Sequence, residues 1–521
     1  MNTSKKYPKW PLAAAFILQA FTPSGKAQSV WDGGGADNNW TTPENWDLGS
    51  APVSGDTTAI QLDGTTNTAI NVDTLFTFNT LTVNSGGGPF SLSGSDLTLH
   101  GSGSVDGGYT IRNNSANLLA VDNNLILTGD SGISAVNGDI TLGGNIIYGD
   151  NSYRLRLLAD SGSTLTVNGV ISGTGRDLAF NNGGTIILNA ANTYSATANI
   201  WNATVIANTD TAFSSSEVRL GANNAGTYEA TLLTGQDVTI SNRIRLVTNS
   251  TGTNSITIGG EHTSGTSEIS SYITLGAGDG ENLNLTAASG GRMNITGSLR
   301  RDSGATGSSD TVTKVGTGIV AIENSYNDYH GTTTVASGTL LVNGTISTLA
   351  GETAAFTVNS GATLGGTGAI GRNVNLLSGS FIEVGDNDAG LTGTLNIIGD
   401  LDLADASTLK FDLGTNSDQL MVDGDIMFNG SVSFDLNQQT GFGDSVSYTF
   451  LSTTGTISGN TAGISLVGGS IAGYTLQVDG SSISLVAASA IPEPSAATLL
   501  FGGLAFCGVL GLKRPSRSLM A

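Results

Sequence analysis

Side chains able to do chemistry are sparse along this chain, and most have a plainer use nearby. Glycoside hydrolysis needs two carboxyl groups roughly 5 to 9.5 Å apart. Glu383 with Asp386 and Asp388, or Asp400 with Asp402, are candidates. A chain with 42 acidic residues places acids close together by chance, so these read as turn and strand-surface residues. A lyase acting on uronates would need cations against the substrate carboxylate. The local basic pairs are Arg154 with Arg156, Arg243 with Arg245, and Arg300 with Arg301, while Lys314 and Lys410 stand far apart. Arginines one residue apart on a strand share a face, which suits a surface ion pair as well as a sugar acid, and the ion pair is favoured. Gly385-Asp386-Asn387-Asp388-Ala389-Gly390 and Gly278-Asp279-Gly280-Glu281 are oxygen-rich. Neither keeps the spacing of a calcium β-roll or an EF-hand, so they read as turns. His100, His262 and His330 have no second ligand at metal spacing, so no metal and no other cofactor is expected. Trp31, Trp40, Trp46 and Trp201 could stack on sugars, although capping suits the first three better. Thr164/Thr166, Thr311/Thr313 and Thr332/Thr334 have the Thr-x-Thr form of an ice-binding face but no fixed period, and a flat threonine face is not expected.

The elements that must hold these residues are strands. From Thr57 to Val486 nearly every apolar stretch is short, alternates apolar with polar, and ends at Gly, Asn or Asp; Thr80-Leu81-Thr82-Val83 and Asn254-Ser255-Ile256-Thr257-Ile258 are examples. Period-2 alternation with turn residues between marks half-buried strands. No amphipathic helix stands out. Strands this brief bury little alone and must stack on neighbours, and no proline-rich linker cuts the region into domain-sized blocks. The expected fold is all-β, a right-handed parallel β-helix or β-solenoid. At roughly 20 to 25 residues per coil and ~4.8 Å per stacked strand, it would be a rod on the order of 100 Å long.

Both ends carry sorting information. Lys5, Lys6 and Lys9 precede an apolar stretch from Leu12 to Phe21, and Gly25-Lys26-Ala27 offers small residues to a signal peptidase, so residues 1–27 are expected to be a signal peptide cleaved after Ala27. At the other end, Pro492-Glu493-Pro494 is followed by an apolar run over 495–512 and by Lys513, Arg514 and Arg517. A run of about 18 residues is barely long enough to cross a bilayer once as a helix, and its basic flank predicts a cytoplasmic end. The exported region between the ends has 13 basic and 41 acidic residues, a net charge of −28 that disfavours nucleic acid and anionic lipid. The single cysteine, Cys507, falls in the apolar run, so no intramolecular disulfide forms.

The tail, with Pro492, Glu493 and Pro494, an apolar span and a basic cluster over 489–517, resembles the PEP-CTERM sorting signal of Gram-negative, biofilm-forming bacteria. That resemblance implies an exosortase, a transient stay in the inner membrane, and delivery to the cell surface, outer membrane or medium. Residues 312–346, with Lys314-Val315-Gly316-Thr317-Gly318, Asn327-Asp328-Tyr329, Gly331-Thr332-Thr333-Thr334-Val335 and Gly338-Thr339-Leu340, resemble the autotransporter-associated β-strand repeat. A decayed copy begins at Gly184 and keeps Asn192-Thr193-Tyr194. Phe356 to Gly368 and Asp418 to Gly424 are similar to segments that follow such repeats, and the opening Trp31-Asp32-Gly33-Gly34-Gly35, Trp40 and Asn45-Trp46 to their usual start. The expected organisation is a signal peptide over 1–27, a Trp-rich cap over 28–56, a solenoid over 57–488 and the sorting tail. The expected function is a non-enzymatic, exported structural protein in adhesion or in matrix and biofilm assembly, with signal peptidase and exosortase as export partners and extracellular polysaccharide as a further partner. The alternative is a carbohydrate-active β-helix enzyme, a polysaccharide lyase or glycosidase, since such folds also host catalysis.

Overall fold

The computed structural model describes residues 28–101, 109–222, 228–247, 255–276, 281–301, 310–347, 354–386, 390–443 and 447–488. The alternation acts as read: in Ile140–Leu142, Thr164–Val167 or Val374–Leu376 the apolar residues are buried and those between them half-exposed. Most coils contribute one strand to each of three faces, and successive coils pair in parallel. The first face runs through twelve strands from Ser29–Trp31 to Leu299–Arg301. It resumes at Thr345–Ile346 and continues to Ser447–Thr453. The second runs strand to strand from Ala69–Val72 to Ile457–Gly459. The third holds Phe76–Phe78 to Ile171–Ser172, then Thr239–Ile240 to Ile464–Leu466. The core lies inside as columns of like residues. Leu97, Leu125, Ile146 and Ile171 are successive register partners and fully buried. Burying each such side chain contributes roughly 1.5–3 kcal/mol. Among the described residues the helical pieces are two 3₁₀ turns, Pro43–Asn45 and Thr461–Gly463.

Register partners in adjacent coils lie from 18 residues apart, Phe356 to Val374, to 32 apart, Val432 to Ile464. The longer coils carry the excess in corner loops. With seventeen strands on the second face, the stack is roughly 75–80 Å long, somewhat short of the length expected from the sequence.

The two ends are closed differently. At the first, Trp31, Trp40 and Trp46 pack edge to face at 4.9 and 5.2 Å between centroids, all buried, with Phe76 5.1 Å from Trp40. At the other, the parallel order gives way: Ser482–Ala487 pairs antiparallel with both Ser447–Thr453 and Tyr474–Val478. Reversing direction blunts the sheet edge, which would otherwise offer unpaired backbone groups to another chain. The expected signal peptide, the apolar run over 495–512, Ala27, Pro492, Glu493, Pro494, Cys507, Lys513, Arg514 and Arg517 lie outside the described residues. Among the described residues no helix is long and apolar enough to cross a membrane.

Candidate functional site

The three arginine pairs, separate in sequence, come together on the first face. Stacking puts Arg156, Ala179, Asn199, Arg219, Arg245, Thr274 and Arg300 in one outward row, each the register partner of the next. Beside it runs Arg154, Asp177 and Thr197, and the ladder carries on through Glu217, Arg243, Tyr272 and Ser298. Arg112 lies nearer the capped end, in Ile111–Asn113, with its guanidinium 4.8 Å from the Tyr109 ring centroid. Arg176 sits where the pairing of Thr174–Asn181 slips. Nine of the 13 basic residues between positions 28 and 488 therefore stand in or beside strands of one face.

Their partners divide this face. Arg154 meets Asp177 at 3.0 Å, Arg176 meets Asp130 at 3.1 Å, and Glu217 holds Arg219 at 2.6 Å and Arg243 at 3.2 Å. The surface ion pairs expected from the sequence are thus present for Arg154 and Arg243. Tyr272 carries a guanidinium on either side, Arg243 at 5.3 Å and Arg300 at 5.2 Å from its ring centroid. Arg300 also approaches Tyr326 at 6.0 Å. Stacking on tyrosine limits the freedom of a guanidinium.

The second face aligns a single column of threonines that the sequence alone does not show. Thr164, Thr185, Thr204, Thr231, Thr257, Asn284, Thr313, Thr334, Thr357 and Asn375 are successive register partners, and all ten are half-exposed. No fixed sequence period reveals this row, because unequal corner loops separate residues that stacking aligns. Threonine is a strong strand former and Thr–Thr neighbours stabilise a sheet, so the row reads as ladder chemistry.

The acidic candidates are engaged. Asp386 is buried and takes both η nitrogens of Arg292, at 2.8 and 2.7 Å, and Arg292 also reaches Glu323 at 3.2 Å. Asn343 bridges the two carboxylates at 3.1 and 3.0 Å. Glu383 lies 3.8 Å from Lys410, Asp400 accepts the Asp425 N–H, and Asp402 is exposed on its strand. Asp388, Asp279 and the glycines beside Asp279 lie outside the described residues; Glu281 is buried. His262 bonds to Ser264 and Ser267, and His100 lies 3.3 Å from the Thr128 hydroxyl. Among the described residues no three His, Cys, Asp or Glu side chains are placed to hold a metal. A polar groove of about 680 Å³ between Thr392, Asp412, Asn437 and Gln439 has one carboxylate, which accepts from Asn437 and Gln439. Trp201 is half-buried, whereas the three cap tryptophans have no ring face free for a sugar.

The repeat motif holds corners. Lys314 is fully buried and donates from Nζ to the carbonyls of Val315, Gly316 and Ser337 at 2.9, 2.9 and 3.0 Å; burial alone drives its pKa down to about 8. Gly338 has φ +65°, and a Cβ there would meet the Gly316 carbonyl at 2.6 Å and Lys314 Nζ at 2.8 Å, so this corner needs glycine. Asn327 accepts from the Leu299 N–H one coil back and donates to the Thr345 carbonyl one coil ahead. Asn192, in the decayed copy, does the same between Ile171 and Ala212. Arg372, unremarked in the sequence, is buried against Tyr329, 4.6 Å from its ring centroid, and donates to the carbonyls of Tyr329 and Gly331. No family model matches the chain, and comparison with curated proteins finds no relative.

Proposed function

We propose that this chain is an exported structural β-solenoid, delivered by its tail to the cell surface or extracellular matrix, where it displays long lateral faces and acts in adhesion or in matrix and biofilm assembly without catalysis. The observation that carries the reading is the uninterrupted stack of parallel strands, which makes a long, regular side surface out of short repeated units. Solenoids present extended binding surfaces of this kind. The engaged state of Asp386, Glu383 and Asp400 supports a structural use for the acids that stood out in the sequence. Export rests on the two terminal segments and on the resemblance of the tail to an exosortase substrate. Intact-mass analysis of protein from the native cell fractions tests it: the expected species begins near Gln28 and ends close to Pro494, outside the inner membrane. Recovery of the chain with residues 1–27 and 495–521 still attached, in the cytoplasm, would overturn the reading.

A further inference from the structure

We infer that the first face, from Arg112 to Arg300, binds an anionic, carboxylate-bearing polysaccharide laid along the rod. Three observations meet here. The exported region is strongly acidic, yet nine of its 13 basic residues are gathered on this one face. From Arg156 to Arg300 the outward row rises by six stacking steps, roughly 29 Å at ~4.8 Å each, so its guanidiniums follow a line rather than a point. Half-exposed neutral groups stand among the guanidiniums: Asn199 lies in the row before Arg219, with Thr197 beside it. A line of planar cations interleaved with neutral hydrogen-bonding groups matches a polymer that repeats both carboxylates and hydroxyls. Arginine takes a carboxylate through two parallel N–H bonds, and Tyr272 and Tyr326, already stacked on Arg300, limit the side-chain freedom lost on binding.

Nucleic acid fits less well. A duplex carries a charge every ~1.7 Å along its axis. Its dense phosphates would meet Asp130, Asp177 and Glu217 between the arginines and the field of an acidic rod. A polyuronate has a lower charge density and hydroxyls to offer those carboxylates. The inference rests on the extracellular role only for where such a polymer is met. Binding by the purified chain is measured without the cell, so its failure and a failure of sorting are told apart.

Calorimetric titration of the purified exported chain with polygalacturonate, neutral dextran and double-stranded DNA is the test. Polygalacturonate is expected to bind in a salt-sensitive manner, with dextran and DNA markedly weaker. Arg300→Gln and, separately, Arg219→Gln should each weaken it about tenfold, the loss of one charge-assisted contact. Lys410→Gln, the same charge change on the third face, should alter it less than twofold. Circular dichroism confirms folding of each variant, and if one arginine variant does not fold the other carries the comparison. Absent polygalacturonate binding, DNA binding as tight as that of the uronate, or an effect of Lys410→Gln equal to that of the arginine variants would overturn the inference.

Discussion

Lys314 shows how a chemically suggestive residue becomes a structural one. A buried ammonium is costly unless hydrogen-bonded, and three carbonyls converge on its three donors. Methionine fills similar volume but leaves those carbonyls without that donor, so Lys314→Met should destabilise the solenoid by about 2–4 kcal/mol, read from urea denaturation. Asp418 makes a pH-dependent case. It is buried, with Asp412 and Glu383 nearby, and desolvation is the main cause that raises its pKa from 3.8 to about 6, against the N–H groups of Gly393 and Asp412 that donate to it. Raised in the folded state, it holds its proton where the unfolded chain has released it, so its contribution is greatest below pH 4 and is lost as pH rises through 6. Stability of the native sequence relative to Asp418→Asn should accordingly fall by at most about 3 kcal/mol between pH 4 and 6.5. A difference that stays flat across that range would show that the carboxyl does not titrate there. Both residues stand in motifs visible in the sequence, but one partner of each, the Ser337 carbonyl for Lys314 and the Gly393 N–H for Asp418, comes from an adjacent coil, which no local pattern shows.

Strands were legible because alternation is local, whereas the alignment of strands was not. Thr164 and Thr185 lie 21 residues apart while Asn284 and Thr313 lie 29 apart, yet both pairs are register partners. Stacking fixes the register through inward apolar columns, and corner loops absorb the difference, so the threonine row and the arginine face are invisible to any fixed period. The Asn-x-Tyr corners were legible as motifs, and their use is common to both copies: Tyr194 and Tyr329 are buried while Asn192 and Asn327 each clip the coil before to the coil after. Arg292 ties a more distant piece. It lies 94 residues before Asp386, whose backbone pairs antiparallel with Leu391, and so anchors this turn across the third face where Ala321 and Leu341 are buried. Arg292→Ala leaves a buried carboxylate without its bidentate partner and should cost about 3–5 kcal/mol; the double change Arg292→Met with Asp386→Leu should cost less, because the charge that remains, on Glu323, is partly exposed. Thermal melts of the two variants decide it, and equal losses would show that the ion pair is incidental to the turn.

At the scale of the whole molecule, the charge distribution and the ends belong to one design. An acidic rod with nine of its 13 basic residues on a single face keeps its other sides repulsive, which favours solubility and leaves one direction for engagement. Its two ends are blunted, by buried tryptophans at one and by a direction reversal in Tyr474–Val478 and Ser482–Ala487 at the other, so copies are not invited to stack end to end. On the proposed function, tail and rod have separate tasks. The last strand among the described residues ends at Ala487, and Pro492 and Pro494 follow within a few residues. Prolines remove backbone donors and bias the residues before them to extended conformations, which suits the proposed recognition of Pro492, Glu493 and Pro494 by a membrane peptidase. Replacing Pro492, Glu493 and Pro494 with alanine leaves the apolar run and its basic flank intact. The variant should therefore insert and then accumulate at the inner membrane with its tail attached, visible as a larger mass in that fraction, while the solenoid keeps its β-rich circular dichroism. Release or surface exposure of the triple variant at the native level would mean that the three residues are not the processing signal, and that the tail acts as an ordinary anchor.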